Sequence, residues 1–125
     1  MTFSLYNQDN APKESQKLLE NSLKAFGMIP NLHATMAESA PLLEAYQILH
    51  ALFQKTSFNA EELTVVWQTI NVEHNCHYCV PAHTGIAHMM KVDNAIIEAL
   101  RNRTKLPTEK LQTLHITTLS LVRNR

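Results

Sequence analysis

Glycine is almost missing from this chain, with only Gly27 and Gly85 among 125 residues. Five prolines add little punctuation, so few tight turns are available, and strand-type alternation is nearly absent as well. Charge of one sign is also lacking. Eleven basic residues balance eleven acidic ones, which removes the electrostatic case for nucleic acid or an anionic membrane as partner. The basic cluster Arg123-Asn124-Arg125 is too small to change this. No apolar run approaches the ~20 residues that span a bilayer. The opening MTFSLYNQDNAPKES has neither the basic start nor the apolar stretch of a signal peptide. The expected location is therefore the cytoplasm, where thiols stay reduced and a close cysteine pair points to catalysis or metal binding rather than a structural staple.

What is present is apolar residues at helical spacing. At 45% apolar and 18% charged, the chain reads as globular rather than disordered, and its length suits one domain over 1–125. Residues 13–26 put Leu18, Leu19, Leu23 and Phe26 on one face, with Gly27 as the stop. Asn31 can cap a short piece, and a longer helix starts at Pro41 and runs to about residue 54. Asn59 is the expected N-cap of a helix reaching towards His74, with Glu61 and Glu62 in its positive first turn. Further helices are expected over 77–90, over 94–102 behind Asp93, and from Glu109 behind Thr108 to the end. The fold class is all-α. The last helix carries the stripe Leu111, Leu114, Thr118, Leu121 and Val122 and stops uncapped at Arg125. That pattern suggests a truncated C-terminal end or one completed by packing on another subunit.

Reactive side chains are concentrated in NVEHNCHYCVPAHTGIAH, residues 71–88. The stretch holds both cysteines, Cys76 and Cys79, and four of seven histidines, His74, His77, His83 and His88. On a helix, Cys76, Cys79 and His83 fall at i, i+3 and i+7 and share a face. Pro81 fits only if the helix starts close to the cysteines. A thiol in a first helical turn meets the positive end of the macrodipole and free N–H groups, which lower its pKa below ~8.5. Two such thiols can form a disulfide once one is oxidised to a sulfenic acid. His83 can take the thiol proton and return it to a leaving hydroxide or alkoxide, and Glu73 could orient that relay. These are the parts of a thiol peroxidase or dithiol oxidoreductase.

Two other readings compete. The cysteines could simply pack. They could instead bind zinc with His83 and one of His74 or His77, although only one ligand knuckle exists where structural sites usually use two. His88 lies off the shared face, and His33, His50 and His115 are isolated and read as structural. Met89 and Met90 read as filler, and Trp67, among Val65, Val66 and Ile70, as core.

The segment EELTVVWQTINVEHNCHYCVPAHT resembles the signature of the carboxymuconolactone decarboxylase superfamily, in its AhpD-like alkylhydroperoxidase branch. The resemblance covers about residues 28–125, including MIPNLHATMAESAPLLEAY, and rests chiefly on Cys76, Tyr78, Cys79 and His83. It implies an all-α fold, trimers or hexamers, and peroxide reduction through the cysteine pair. The superfamily's decarboxylases lack that pair, so their lactone chemistry is not implied. Carried over, Cys79 is similar to the peroxidatic cysteine, Cys76 to the resolving one, and His83 to the proton relay. The family's glutamate twelve residues before the first cysteine is replaced by Thr64, Glu62 points elsewhere on its helix, and Glu73 becomes the candidate acid. Tyr78 stands where some relatives place a histidine.

The expectation is therefore a thiol-dependent, peroxiredoxin-type oxidoreductase with no cofactor and no resident metal. Its substrate is hydrogen peroxide or an organic hydroperoxide, and its partner is a dithiol reductant protein of lipoyl or thioredoxin-like kind. The chain is expected to form a homo-oligomer. The rival from another class is a non-enzymatic zinc-binding or redox-sensing helical module.

Overall fold

In a computed structural model that describes residues 2–124, seven helices and no strand are present among the described residues, and the expected all-α class holds. The helices are α1 (Lys13–Phe26), α2 (Asn31–Met36), α3 (Ala40–Gln54), α4 (Ala60–Glu73), α5 (Cys79–Met89), α6 (Asn94–Arg101) and α7 (Glu109–Arg123). None is long and apolar enough to cross a membrane. The expected uncapped end at Arg125 lies outside the described residues. The chain divides into two compact units, one ending at Lys55 and the other beginning at Thr56.

The first unit packs α1, α2 and α3 around Ala11, Leu19, Ala37 and Leu43. Polar groups inside it are satisfied locally. The buried Ser15 hydroxyl donates to the Ala37 carbonyl at 2.7 Å, and the Gln47 amide donates to the Leu18 carbonyl at 3.0 Å and to Ser22 Oγ at 2.9 Å. His33 is buried, with Nδ1 2.8 Å from Ser22 Oγ and edge contacts to Phe26 and Tyr46. Burial holds the pKa of His33 below its ordinary value, as it does for His50. The opposite side of α3 leaves Leu42, Ile48, Leu49 and Leu52 exposed.

The second unit is organised by α4, which packs on α5, α6 and α7. Its core comprises Val65, Ala87, Val92, Ile96, Ile97, Ala99, Leu100, Leu106 and Leu111. The N-terminus of α4 is closed by a capping box. Asn59 Oδ1 accepts from the Glu62 amide at 3.0 Å, and the Glu62 carboxylate accepts from the Asn59 amide at 2.9 Å. Glu62 also pairs with Lys110, and these contacts hold its carboxyl below the usual range. The expected caps Asp93 and Thr108 are in place, accepting from the amides of Ala95 at 2.8 Å and Leu111 at 3.3 Å. Along α7, Leu111 and Thr118 turn inwards while Ile116 and Leu121 stay exposed.

The shortage of glycine reappears at the helix ends. α4, α5 and α6 each finish in the same two bonds, a 6→1 bond and a 5→2 bond around a left-handed residue. At α4 these are Cys76 N–H to the Asn71 carbonyl (3.0 Å) and Asn75 N–H to the Val72 carbonyl (3.2 Å). The left-handed residues are Asn75 (φ 50°), Lys91 (φ 58°) and Arg103 (φ 56°), not glycines. Asparagine tolerates that conformation, whereas lysine and arginine adopt it at a cost of about 1–2 kcal/mol each.

Candidate active site at the start of α5

The turn that ends α4 delivers the first cysteine. Asn75 reverses the chain, the Cys76 amide is spent on Asn71, and Cys76 therefore stands just outside α5 rather than on it. Cys79 is the first residue of α5. The expected single helix over 77–90 is thus shorter at its start, because the Asn75 reversal leaves only a turn between the two cysteines. The i, i+3 approach survives all the same, since Val80 N–H already donates to the Cys76 carbonyl at 3.1 Å. The two sulfurs are joined in a disulfide, S–S 2.02 Å with Cα atoms 5.2 Å apart. The backbone amide of Cys79 points at Cys76 Sγ from 3.0 Å. Both cysteines are half-buried. Pro81, the third residue of α5, sits where a missing N–H costs no helical hydrogen bond.

Side chains that a motif reading passes over hold this turn against α4. Gln68 is fully buried, and its amide donates to the Val80 carbonyl and to Thr84 Oγ1, both at 3.0 Å. Its Oε1 accepts from the Asn71 amide at 3.0 Å, and the same Asn71 group reaches the Cys79 carbonyl at 3.5 Å. Polar groups of five residues are thereby satisfied together around the buried Gln68. The sequence signal for Gln68 was only a polar residue on the inner face of a helix. Arg103, from the end of α6, supports the turn from the other side. It donates to the Val72 carbonyl at 2.6 Å and to Asn75 Oδ1 at 3.2 Å. Nothing in the local sequence around Arg103 announces that role.

His83 lies one turn after Cys79 on α5, half-buried, with its ring centroid 5.0 Å from that of Trp67 on α4. Trp67 is half-buried too and packs on the candidate relay. Glu73, at the last position of α4, turns its carboxylate to α7. Arg123 grips it through two bonds, Nε to Oε1 at 2.6 Å and Nη2 to Oε2 at 2.9 Å, and Arg103 Nη1 lies 3.5 Å from Oε2. The Arg123 bonds hold the Glu73 carboxyl below its usual range. Thr64 is buried, its hydroxyl bonded to the Ala60 carbonyl at 2.8 Å. His115 pairs with Thr69 at 2.7 Å in a cavity of about 190 Å³ that also contains Glu73 and Arg123. Burial first, and Arg123 second, lower the His115 pKa.

The remaining histidines of the motif stay outside this arrangement. His74 and His88 are exposed, and His77 is exposed on the turn. Among the described residues, no group of three His, Cys, Asp or Glu side chains stands close enough to hold a metal ion. A scan against protein-family models finds none that matches the chain, and a search of curated proteins finds no match either.

Proposed function

We propose that the protein is a thiol-dependent peroxidase that reduces hydrogen peroxide or organic hydroperoxides through the Cys76–Cys79 pair. The observation that carries this reading is the disulfide across the entry to α5, with His83 one turn beyond Cys79. The resemblance to the AhpD-like alkylhydroperoxidases supports the same chemistry.

In the proposed cycle, Cys79 thiolate attacks the distal peroxide oxygen. The O–O bond breaks, Cys79 becomes a sulfenic acid, and His83 delivers a proton to the departing alkoxide or hydroxide. Cys76 thiolate then attacks Cys79 Sγ, forming the disulfide and releasing hydroxide, which leaves as water. An external dithiol restores both thiols by exchange. Glu73 contributes through Arg123 and Arg103, which tie the end of α4 to its neighbours.

The same reading includes a homo-oligomer, a trimer or hexamer by the resemblance. The exposed apolar residues Ile116 and Leu121 on α7 and Leu42, Ile48, Leu49 and Leu52 on α3 support it. Light scattering at micromolar concentration should give a mass several times that of the chain, and a monomer would contradict the assembly. The activity is tested by hydroperoxide consumption with a dithiol reductant. Turnover is expected in the natural sequence and none in Cys79→Ser. No consumption with any dithiol would remove the peroxidase reading.

A further inference from the structure

Asn71 contacts the backbone of both cysteines. Its carbonyl accepts from the Cys76 amide at 3.0 Å, and its side-chain amide reaches the Cys79 carbonyl at 3.5 Å. Gln68, one turn earlier on α4, holds that side chain in place, its Oε1 accepting from Asn71 Nδ2 at 3.0 Å. The other end of Gln68 donates to the carbonyl of Val80, the residue after Cys79, and to Thr84 Oγ1, both at 3.0 Å. Gln68 is fully buried, at 0% exposure. An amide enclosed between helices costs free energy unless its bonds are made, and an apolar side chain of similar size fills such a space without that demand. No step of the proposed cycle uses this amide.

We propose that Gln68 is a positioning residue of the cysteine pair. Through Asn71 on one side and Val80 on the other, it holds Cys76 and Cys79 at ring-closing separation in the dithiol as well as in the disulfide. The proposal rests on the redox-active pair argued above and adds the residue that presets it. The step it serves is resolution. Cys76 thiolate attacks Cys79 Sγ of the sulfenic acid, an S–S bond forms, the S–O bond breaks, and hydroxide leaves to become water with a proton from solvent. Cys76 stands outside α5, beyond the left-handed Asn75, so the helix does not by itself fix its distance from Cys79. Without Gln68 the two thiols drift apart between turnovers, and the attack loses the advantage of a prearranged neighbour. The disulfide is weakened at equilibrium for the same reason, because closing the ring must then restore an order that the dithiol no longer keeps. The bond from Val80 N–H to the Cys76 carbonyl remains, so the loss is partial.

The test equilibrates the protein with mixtures of reduced and oxidised glutathione and reads the Cys76–Cys79 disulfide by alkylation and mass spectrometry, with no peroxide present. In Gln68→Met the equilibrium constant for forming the disulfide is expected to fall roughly tenfold, a rise in reduction potential of about 30 mV. Asn71→Ala keeps the carbonyl that holds Cys76 and removes only the link to Gln68, and should shift the equilibrium in the same direction by less. Leu111→Ala, a core truncation on α7, should lower thermal stability and leave the equilibrium where it was. An equilibrium that Asn71→Ala leaves in place would overturn the proposal, even if Gln68→Met fails to fold. So would an equal shift in Leu111→Ala, which would make the effect one of general loosening. A kinetic arm adds one equivalent of hydrogen peroxide in the presence of dimedone. Gln68→Met should give roughly tenfold more dimedone adduct on Cys79 relative to disulfide, the mark of slowed resolution. A ratio equal to that of the natural sequence would count against the assigned step. A Cys79 that peroxide never oxidises, in a pair whose glutathione equilibrium still responds to Gln68→Met, would remove the peroxidase reading and leave the positioning role standing.

Discussion

The backbone amide of Cys79 points at Cys76 Sγ from 3.0 Å, across a turn that Asn75 and Asn71 set up. In the oxidised pair this contact only orients the sulfur. After reduction it becomes a donor facing a thiolate, the arrangement that lowers a thiol pKa. Cys76 in Cys79→Ser should therefore ionise below the free value of ~8.5, because the amide at position 79 remains. Alkylation rate against pH measures this, and a midpoint at or above 8.5 would show that the amide contact does not persist in the dithiol. The same measurement on Cys79 in Cys76→Ser assigns the roles. The resemblance gives the lower value to Cys79, and the opposite order would exchange attacking and resolving thiols.

His83 is one helical turn from Cys79 and rests on Trp67. His83→Gln keeps a polar side chain there but removes the titrating group. Peroxide turnover is expected to fall ~10²-fold or more, the usual scale for a lost acid–base group, with a flattened pH profile. An unchanged rate and profile would reduce His83 to a packing residue.

Glu73 separates structure from chemistry. Its carboxyl is held below its reference value of 4.5, chiefly by the Arg123 bonds. A lowered folded pKa means that the unfolded chain binds the proton more tightly. The stabilisation is therefore fully present above about pH 4.5 and is lost as pH falls through the folded value. Glu73→Gln should lower thermal stability modestly at neutral pH and remove that acid dependence, because neutral Gln cannot reproduce the ion pair. If Glu73 acts only through its arginines, peroxide turnover at saturating reductant stays within a few-fold. A fall comparable to that of His83→Gln would place it in the proton relay.

Much of the fold is legible in the sequence because it depends on local rules. The caps at Asn59, Asp93 and Thr108, the stop at Gly27 and the position of Pro81 each act within one turn, so residue type and spacing suffice. The entry to α5 is harder. Placing Cys76 on the helix followed from spacing alone, whereas its position is set by the left-handed Asn75, which needs no glycine. The supports of the site, Gln68, Asn71 and Arg103, are still less visible. Each works through a partner 8 to 31 positions away, and only the packing of α4 against α5 and α6 brings them together.

The left-handed residues allow a stability test that leaves the chemistry alone. Lys91 is exposed, has φ 58° and ends α5 at the opposite end from the disulfide. Lys91→Gly removes the steric cost and should raise unfolding free energy by about 1 kcal/mol, less whatever the extra freedom of the unfolded chain returns. Chemical denaturation of the reduced protein is the appropriate measurement. A loss of stability would mean that the lysine side chain makes a contribution larger than its backbone strain.

The central claim is that the cysteine pair consumes hydroperoxide, and titration of the reduced protein with hydroperoxide followed by mass spectrometry tests it most directly. The account predicts the loss of two hydrogens, confined to the peptide carrying Cys76 and Cys79 and complete at one equivalent of peroxide. Both thiols surviving an equivalent of peroxide, or oxidation appearing first on methionines such as the exposed Met89, would contradict it.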